Sequence, residues 1–459
     1  MNTHKKIIDK QKAFFATNRT KSYEWRIDQL DRMSLMLKDN IDAFYAAVAS
    51  DFKTALPEFV LEANAPIHVI EFTKLQLKDW MKAEERPLPR FLSESGHKGH
   101  VFREPYGATL VIGPFNAPVI SLLLPAIAAL SAGNTVVLKP HEAAAATSAL
   151  LEKLIPQYFE QEAVALVTGG KEEVESLLKL AFDFIFFTGS PKVGKVIMRA
   201  AAENLTPVIL ELGGQNPAIV DETANIADAA KKLVWGATAW GGQWCTSPGY
   251  VYIHESKAEE FIDEAKKALL SLYGPDPQKN SDFSKIINPA EVDRLLSLID
   301  PLKVIAGGNA DRENNYIAPT LIYPADWSDK IMQEEIFGPV LPIIPYRNIG
   351  DVVSCIEKAP KPLAAYIFSR NQALVDHLLS TLSFGGGAVN QANVHLFIVT
   401  MPFGGVGQSG IGNYYGKQGF DSLTHAKSVL VSPADESIEH LFAPYTPEKA
   451  HELNKWFEY

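Results

Sequence analysis

Short apolar runs alternate with helical segments from about residue 108 onward, and this alternation limits the possible folds more than any other feature of the chain. Each run is three to five residues long, and a stretch with helical spacing follows it. Strands connected by helices pair in parallel, so the pattern predicts an α/β fold with helices on both faces of a parallel sheet. The predicted strands cover residues 109–112, 135–138, 163–167, 184–187 and 208–210.

The carboxyl ends of these strands are the expected position of a ligand crevice, because parallel strands that are buried on both faces leave a gap there. Gly189, Ser190 and Pro191 follow strand 184–187. Serine is a favoured N-cap and proline a favoured first helical residue, so a helix is predicted to begin here. Its amino terminus would face the crevice and could receive a pyrophosphate.

Two further helices are predicted outside this region. Apolar residues recur at three- and four-residue steps from Ile27 to Val48, which predicts one long helix with a single buried face. Residues 447–459 are predicted to form an exposed helix.

Charge and cysteine content exclude several classes of protein. The chain has 459 residues, a formal net charge of -11 and no basic cluster, so nucleic acid and membrane partners are not expected. Cys245 and Cys355 are its two cysteines, too few for a disulfide framework, and the histidines are scattered. No secretory signal is visible at the N-terminus. We therefore expect a cytoplasmic protein without a catalytic metal.

Three residues are candidates for chemistry, each with a plain structural alternative. Cys245 follows a polar, Gly-rich segment and could be a nucleophile, although free cysteine is commonly a buried core residue. Glu211 ends a predicted strand and precedes Gly213 and Gly214, so it could be a general base or simply an acid at a strand end. Asn116 lies between two prolines, where its amide could donate to an oxyanion or stabilise a turn.

Other motifs were considered and set aside. Gly405, Gly407 and Gly410 spell G-x-G-x-x-G, but no strand-to-helix unit surrounds them and no acid follows about twenty residues later. Cys355 lies in a helical pattern and is interpreted as core, and His395 as a structural residue near the pocket.

Five segments together resemble the aldehyde dehydrogenase superfamily in order and spacing, over nearly the whole chain. The N-terminal region and the stretch 286–289 are most similar to its class 3 branch, which acts on fatty and aromatic aldehydes. The five segments are residues 114–118, 139–142, 211–214, 242–248 and 334–339.

The resemblance implies a role for each matching residue. Cys245 would be the nucleophile, Glu211 the general base, and Asn116 would form the oxyanion hole with the backbone N–H of Cys245. The cofactor would be NAD, with NADP possible, and the matching residues are Lys139 and Glu142 for the adenosine ribose, Gly189, Ser190 and Gly194 for the pyrophosphate turn, Glu335 for the nicotinamide ribose, and Phe337 beside the nicotinamide ring.

The resemblance also implies an organisation for the chain. A Rossmann-like NAD-binding domain is expected over residues 1–82 and 106–210, and an α/β catalytic domain over residues 211–423. A small β oligomerisation element would comprise 83–105 and 424–435, with a C-terminal tail at 436–459. The class 3 relatives imply a homodimer, and a small-molecule aldehyde is the expected partner.

Several residues depart from the family pattern. Phe115 stands where the family usually has Trp, Gln215 where Lys is common, and Ala117 where an aromatic is common. The small Ala117 would widen the substrate tunnel, which favours medium- or long-chain aliphatic or aromatic aldehydes. Alternatives are a semialdehyde-specific enzyme or one that passes the acyl group to coenzyme A, although Glu211 would be dispensable in the second. An esterase and a binding protein without activity are further possibilities.

Overall fold

Two separate, mainly parallel sheets with helices on both faces form most of the fold, in a computed structural model that describes residues 3–435 and 437–459. The helices are α1 (Thr3–Phe15), α2 (Tyr23–Asp39), α3 (Ile41–Asp51), α4 (Leu56–Trp80), α5 (Arg90–Glu94), α6 (Ile120–Ala132), α7 (Ala145–Tyr158), α8 (Lys171–Leu178), α9 (Pro191–Ala202), α10 (Ile226–Thr238), α11 (Ala258–Tyr273), α12 (Pro289–Leu298), α13 (Ile349–Lys358), α14 (Gln372–Thr381), α15 (Gly416–Ser422) and α16 (Pro447–Glu452).

The strands are shorter and mostly buried. They are β1 (Glu84–Arg86), β2 (Lys98–Pro105), β3 (Ala108–Ile112), β4 (Thr135–Lys139), β5 (Val164–Leu166), β6 (Phe184–Thr188), β7 (Val208–Glu211), β8 (Asn216–Val220), β9 (Pro248–His254), β10 (Val304–Ala306), β11 (Ala310–Asp311), β12 (Tyr316–Ile317), β13 (Thr320–Ile322), β14 (Val340–Tyr346), β15 (Ala364–Phe368), β16 (Gly386–Val389), β17 (Gly410–Ile411) and β18 (Thr424–Val431).

The first sheet has the strand order β17-β7-β6-β3-β4-β5, and all of its strands except β17 run parallel. Its five parallel strands are the five predicted from the sequence, within one or two residues at each end. The chain moves from β3 to β4 and β5 on one side and then returns to β6 on the other. This reversal opens a crevice at the carboxyl ends of β3 and β6, where a ligand can bind.

The second sheet has the order β10-β13-β14-β9-β8-β15-β16 and is parallel except at β10. The residue Glu211 ends β7 of the first sheet, and β8 of the second begins at Asn216. The chain therefore crosses from one sheet to the other beside the crevice.

A third, antiparallel sheet joins β1, β2 and β18. It lies in the two segments predicted to form an oligomerisation element, 83–105 and 424–435. The tail packs beside it, since the rings of Phe91 and Trp456 meet edge to face at 5.1 Å. Residues 1, 2 and 436 lie outside the described residues, so the ends of two predicted segments fall there.

Two helix predictions were wrong in extent. The long N-terminal helix is broken at Asn40, whose side-chain amide donates to the Met36 carbonyl at 2.9 Å and ends α2 before α3 begins. The predicted helix over 447–459 is α-helical only to Glu452 and continues as a 3-10 helix over Leu453–Phe457. In the part of the chain that the structure describes, no helix is long and apolar enough to cross a membrane.

Candidate active site

A cavity of about 610 Å³ lies at the carboxyl end of the first sheet and reaches the loop before β9. Nine of the ten residues predicted to form the site line it, although they come from segments far apart in the chain. These nine are Asn116, Lys139, Glu142, Gly189, Ser190, Glu211, Cys245, Glu335 and Phe337.

Cys245 lies between the two sheets, in the loop that enters β9. The amide of Asn216 donates to the carbonyls of Cys245 and Ser247, both at 2.9 Å, and the Tyr366 hydroxyl donates to the Thr246 carbonyl at 2.6 Å. These bonds hold the loop from the second sheet. Burial, with the nearby carboxylates of Glu335 and Glu211, raises the pKa of the Cys245 thiol to about 12. The thiol is partly accessible from the cavity and carries its proton at neutral pH.

Glu211 is the last residue of β7 and is 3% exposed. Neither of its carboxylate oxygens has a hydrogen-bond partner among the described residues. Burial raises its pKa well above the usual value for glutamate. A carboxyl group in this state can take up and release a proton near neutral pH, which a general base requires.

Asn116 follows β3 and precedes α6, in the turn predicted from its two flanking prolines. It is 5% exposed and lines the cavity. The neighbouring Phe115 packs edge to face against Phe337 at 5.7 Å and against His141 at the same distance. Asn116 therefore lies between the reactive residues and the remainder of the cavity.

Lys139 and Glu142 lie at the end of β4. Lys139 is 1% exposed, and its ammonium donates to the Pro140 carbonyl at 2.6 Å and lies 3.8 Å from the Glu142 carboxylate. Burial lowers the pKa of Lys139. Glu142 is about half exposed, so its carboxylate is available to a ligand.

Gly189 and Ser190 lie where β6 passes into α9, as predicted. The Ser190 side chain accepts the Val193 N–H at 3.4 Å, and Pro191 is the first residue of the helix. Gly194 does not line the cavity. A Cβ at this position would lie 2.7 Å from Cδ2 of Leu212, so glycine is needed for close packing of α9 against the end of β7.

Glu335 and Phe337 follow the 3-10 turn Lys330–Met332. The Glu335 carboxylate lies directly over Gly213, where an added Cβ would be 2.2 Å from its oxygens. Burial raises the pKa of Glu335 to about 7, although the Gly214 N–H and Arg294 act in the opposite direction. The glycine after Glu211 is therefore required for the position of a second acid in the cavity.

The site can accommodate a polar dinucleotide on evidence from its own atoms. The buried hydroxyl of Thr188, beside Gly189, has no hydrogen-bond partner among the described residues, although it lines the cavity. The N-terminus of α9 and the carboxylates of Glu142 and Glu335 add groups that bind phosphates and hydroxyls.

Sequence reasoning missed most of the apolar wall around Cys245. A signal was present in the spacing of Trp240 and Trp244, which share a helical interval and stack at 4.2 Å. The other apolar residues of this wall come from distant segments, and they are Leu61, Ile120, Leu124, Leu396, Phe397, Phe403, Tyr414 and Tyr415.

The residues that were set aside lie as follows. Gly410 begins β17, which pairs antiparallel with β7 opposite Glu211, so the G-x-G-x-x-G segment is not a strand-to-helix turn. Cys355 is partly buried against the core of the second sheet, and His395 is buried between Tyr366 and Phe403. Within residues 3–435 and 437–459, no three His, Cys, Asp or Glu side chains form a group that could hold a metal ion.

Comparison with known proteins gives the family. The model of the aldehyde dehydrogenase family matches residues 2–429. The 4,4'-diaponeurosporen-aldehyde dehydrogenase of Staphylococcus aureus is 38% identical over 449 residues, which cover 97% of each chain. The mouse dimeric NADP-preferring aldehyde dehydrogenase is 37% identical, over 98% of this chain and 99% of its own. Aldehyde dehydrogenase family 3 member H1 of Arabidopsis thaliana is 40% identical over 96% of this chain and 92% of its own, so the predicted class 3 resemblance is confirmed.

A solved structure has the same fold. The substrate-bound Staphylococcus aureus AldH superimposes with a TM-score of 0.97 at 36% identity, over the full length of both chains. The expected aldehyde dehydrogenase fold is thereby confirmed. From its sequence and its fold, the chain belongs to the aldehyde dehydrogenase family.

Proposed function

We propose that this chain oxidises medium- or long-chain aliphatic or aromatic aldehydes to carboxylic acids, with NAD or NADP, through a thioester on Cys245. The observation that supports this is the convergence of Cys245, Glu211 and Asn116 on one cavity from three separate segments. The aromatic and aliphatic wall beside Cys245 suits a substrate with an extended apolar group.

Cys245 is the nucleophile in this proposal. Its sulfur bonds to the aldehyde carbon, the C=O double bond becomes an alkoxide, and the thiol proton leaves. Glu211 faces the same cavity, and its unpartnered carboxylate can take that proton. The Asn116 amide and the backbone N–H of Cys245 donate to the new oxyanion, which is charge stabilisation that the substrate itself does not require.

The bound cofactor supplies the oxidant, because its nicotinamide accepts a hydride from the substrate carbon. Lys139 and Glu142 hold the adenosine ribose, and the N-terminus of α9 after Gly189 and Ser190 receives the pyrophosphate. Glu335 binds the nicotinamide ribose, with Phe337 beside the ring. The exposed Glu142 carboxylate would repel a 2'-phosphate, so NAD is proposed as the preferred form.

Glu211 completes the reaction as the base for hydrolysis. It takes a proton from a water molecule whose oxygen bonds to the thioester carbon, and the C–S bond breaks to release the acid and the Cys245 sulfur. The raised pKa of Glu211 suits this role, because a base that titrates near neutral pH both accepts and releases the proton.

The test is to incubate the purified chain with NAD or NADP and a panel of straight-chain and aromatic aldehydes, while reduced cofactor is followed by absorbance. We expect turnover that Cys245→Ser abolishes. Cys355→Ser is the matched control and should retain activity, since Cys355 packs in the core away from the cavity. Equal rates in wild type and Cys245→Ser would disprove the proposed nucleophile.

The same proposal extends to organisation. We propose a cytoplasmic homodimer with the domain ranges given above. Measurement of the mass in solution tests the dimer, and disruption of the β1-β2-β18 sheet should convert it to a monomer if that sheet is the contact.

A further inference from the structure

A lysine and two glutamates form a buried charged cluster behind the candidate active site, and none of the three lines the cavity. Lys53 and Glu62 are 0% exposed and form an ion pair of 2.7 Å, and Glu58 is 3% exposed. Among the ion pairs of the described residues, this is the one in which both side chains are fully buried. Buried charges of this kind are expensive unless they are paired, so the cluster needs an explanation.

Glu62 connects the cluster to the segment that carries Asn116. Its second carboxylate oxygen accepts the N–H groups of Val119 and Ile120, at 2.9 and 3.1 Å. These groups begin α6, whose N-cap position makes no side-chain cap of its own. Glu62 therefore caps this helix from a different element, and it holds the turn that begins three residues earlier at Asn116.

Glu58 connects the cluster to the segment that carries Cys245. Its carboxylate accepts the Trp240 N–H at 2.8 Å and the Ser284 hydroxyl at 2.7 Å. Trp240 has a φ of 59°, a left-handed conformation that is unfavourable for a bulky residue and needs support from its surroundings. Its ring stacks on Trp244, which directly precedes Cys245.

Lys53 lies between the two glutamates. Its ammonium is 4.3 Å from the centre of the Trp240 ring, in addition to its ion pair with Glu62. Burial raises the pKa of Glu58, and the charge of Lys53 acts in the opposite direction. Without the ammonium, two carboxyl groups would remain together in a dry site, and one would have to move or stay protonated.

We propose that Lys53, through Glu58 and Glu62, is a positioning residue that sets the placement of the Asn116 amide relative to Cys245. The inference rests on the proposed function, in which these two residues share one oxyanion. Each segment is held by a different carboxylate, and Lys53 is the charge common to both. A shift of either segment would move a donor away from the oxyanion, with little effect on substrate or cofactor binding.

A double-mutant cycle tests this directly. In the wild-type background, Lys53→Met is expected to lower kcat about tenfold or more, with the KM for aldehyde and for NAD changed less than about twofold. In an Asn116→Ala background, which itself loses about 100-fold in kcat, Lys53→Met should cost less than about threefold. Glu62→Gln, which keeps the volume of the side chain, enters the same cycle and replaces Lys53→Met if that variant does not fold.

Arg26→Met is the matched control. Arg26 is 3% exposed and donates to the Ser131 carbonyl at 3.1 Å, so it is a buried cation at the opposite end of α6. It should lower the melting temperature without lowering kcat. A general loss of rigidity would instead lower kcat in both variants.

Two results would overturn the inference. Equal factors for Lys53→Met with and without Asn116 would show that the cluster acts independently of the oxyanion donor. A raised KM with unchanged kcat would assign it to binding. If the wild type oxidises no aldehyde, the proposed function fails instead. The cycle is then run on cofactor-free hydrolysis of an activated ester, which also forms an oxyanion, with the same two criteria.

Discussion

The binding of NAD should depend on pH through one carboxyl group, Glu335. This residue lies over Gly213 in the cavity, and burial raises its pKa to about 7 from an ordinary value of 4.5. The proposed role of Glu335 is to accept hydrogen bonds from ribose hydroxyls, which the ionised form does with two oxygens. NAD affinity should therefore rise as the pH rises through 7.

The size of the effect follows from the ionised fraction. A group with a pKa of about 7 is roughly one-tenth ionised at pH 6 and nine-tenths ionised at pH 8. If only the ionised form binds, the Kd for NAD should fall about tenfold across this range. A glutamate of ordinary pKa is fully ionised at both values and would produce no change. Burial lowers the pKa of the nearby His141, so its imidazole is neutral across most of this range and contributes little.

The assay is titration of NAD at pH 6, 7 and 8, followed by tryptophan fluorescence, because Trp240 and Trp244 line the cavity. NAD is used rather than NADP, since a 2'-phosphate has its own pKa near 6. Glu335→Gln is the control and should bind NAD weakly, with the same Kd at each pH. A constant Kd in the wild type, or the same slope in Glu335→Gln, would refute the reasoning.

Three further predictions concern the other parts of the site. Glu211→Gln should lower the steady-state rate about 100-fold or more while the first turnover of reduced cofactor persists, because hydrolysis and not acylation loses its base; loss of both phases together in stopped flow would contradict this. Ala117→Tyr should reduce kcat/KM for long-chain and aromatic aldehydes more than for short ones, since Ala117 lines the cavity, and an unchanged chain-length profile would contradict it. Gly194→Val should lower the free energy of unfolding by about 1–3 kcal/mol in denaturant titrations, because its Cβ would meet Leu212 at 2.7 Å. Gly214→Ala, whose nearest neighbour would be 3.7 Å away, is its control and should cost less than Gly194→Val.

The sequence by itself determined the elements that depend on neighbouring residues. The five parallel strands of the first sheet and the start of α9 at Ser190 and Pro191 were predicted correctly, because hydrophobic period, N-cap and proline preference act over a few residues. The motifs around Asn116, Glu211 and Cys245 were visible for the same reason. Their order at strand ends also predicted that they meet at one edge.

Only the tertiary structure decided the features that depend on distant contacts. Glu58 bonds to Trp240, 182 positions away, and Glu62 to Val119, 57 positions away. No local pattern distinguishes Lys53 from an exposed lysine, because its burial depends on elements that pack together only in the fold. The break at Asn40, the pairing of Gly410 with Glu211 and the wall around Cys245 have the same origin. Short-range preferences select helices and strands, whereas packing between them selects which side chains share a site.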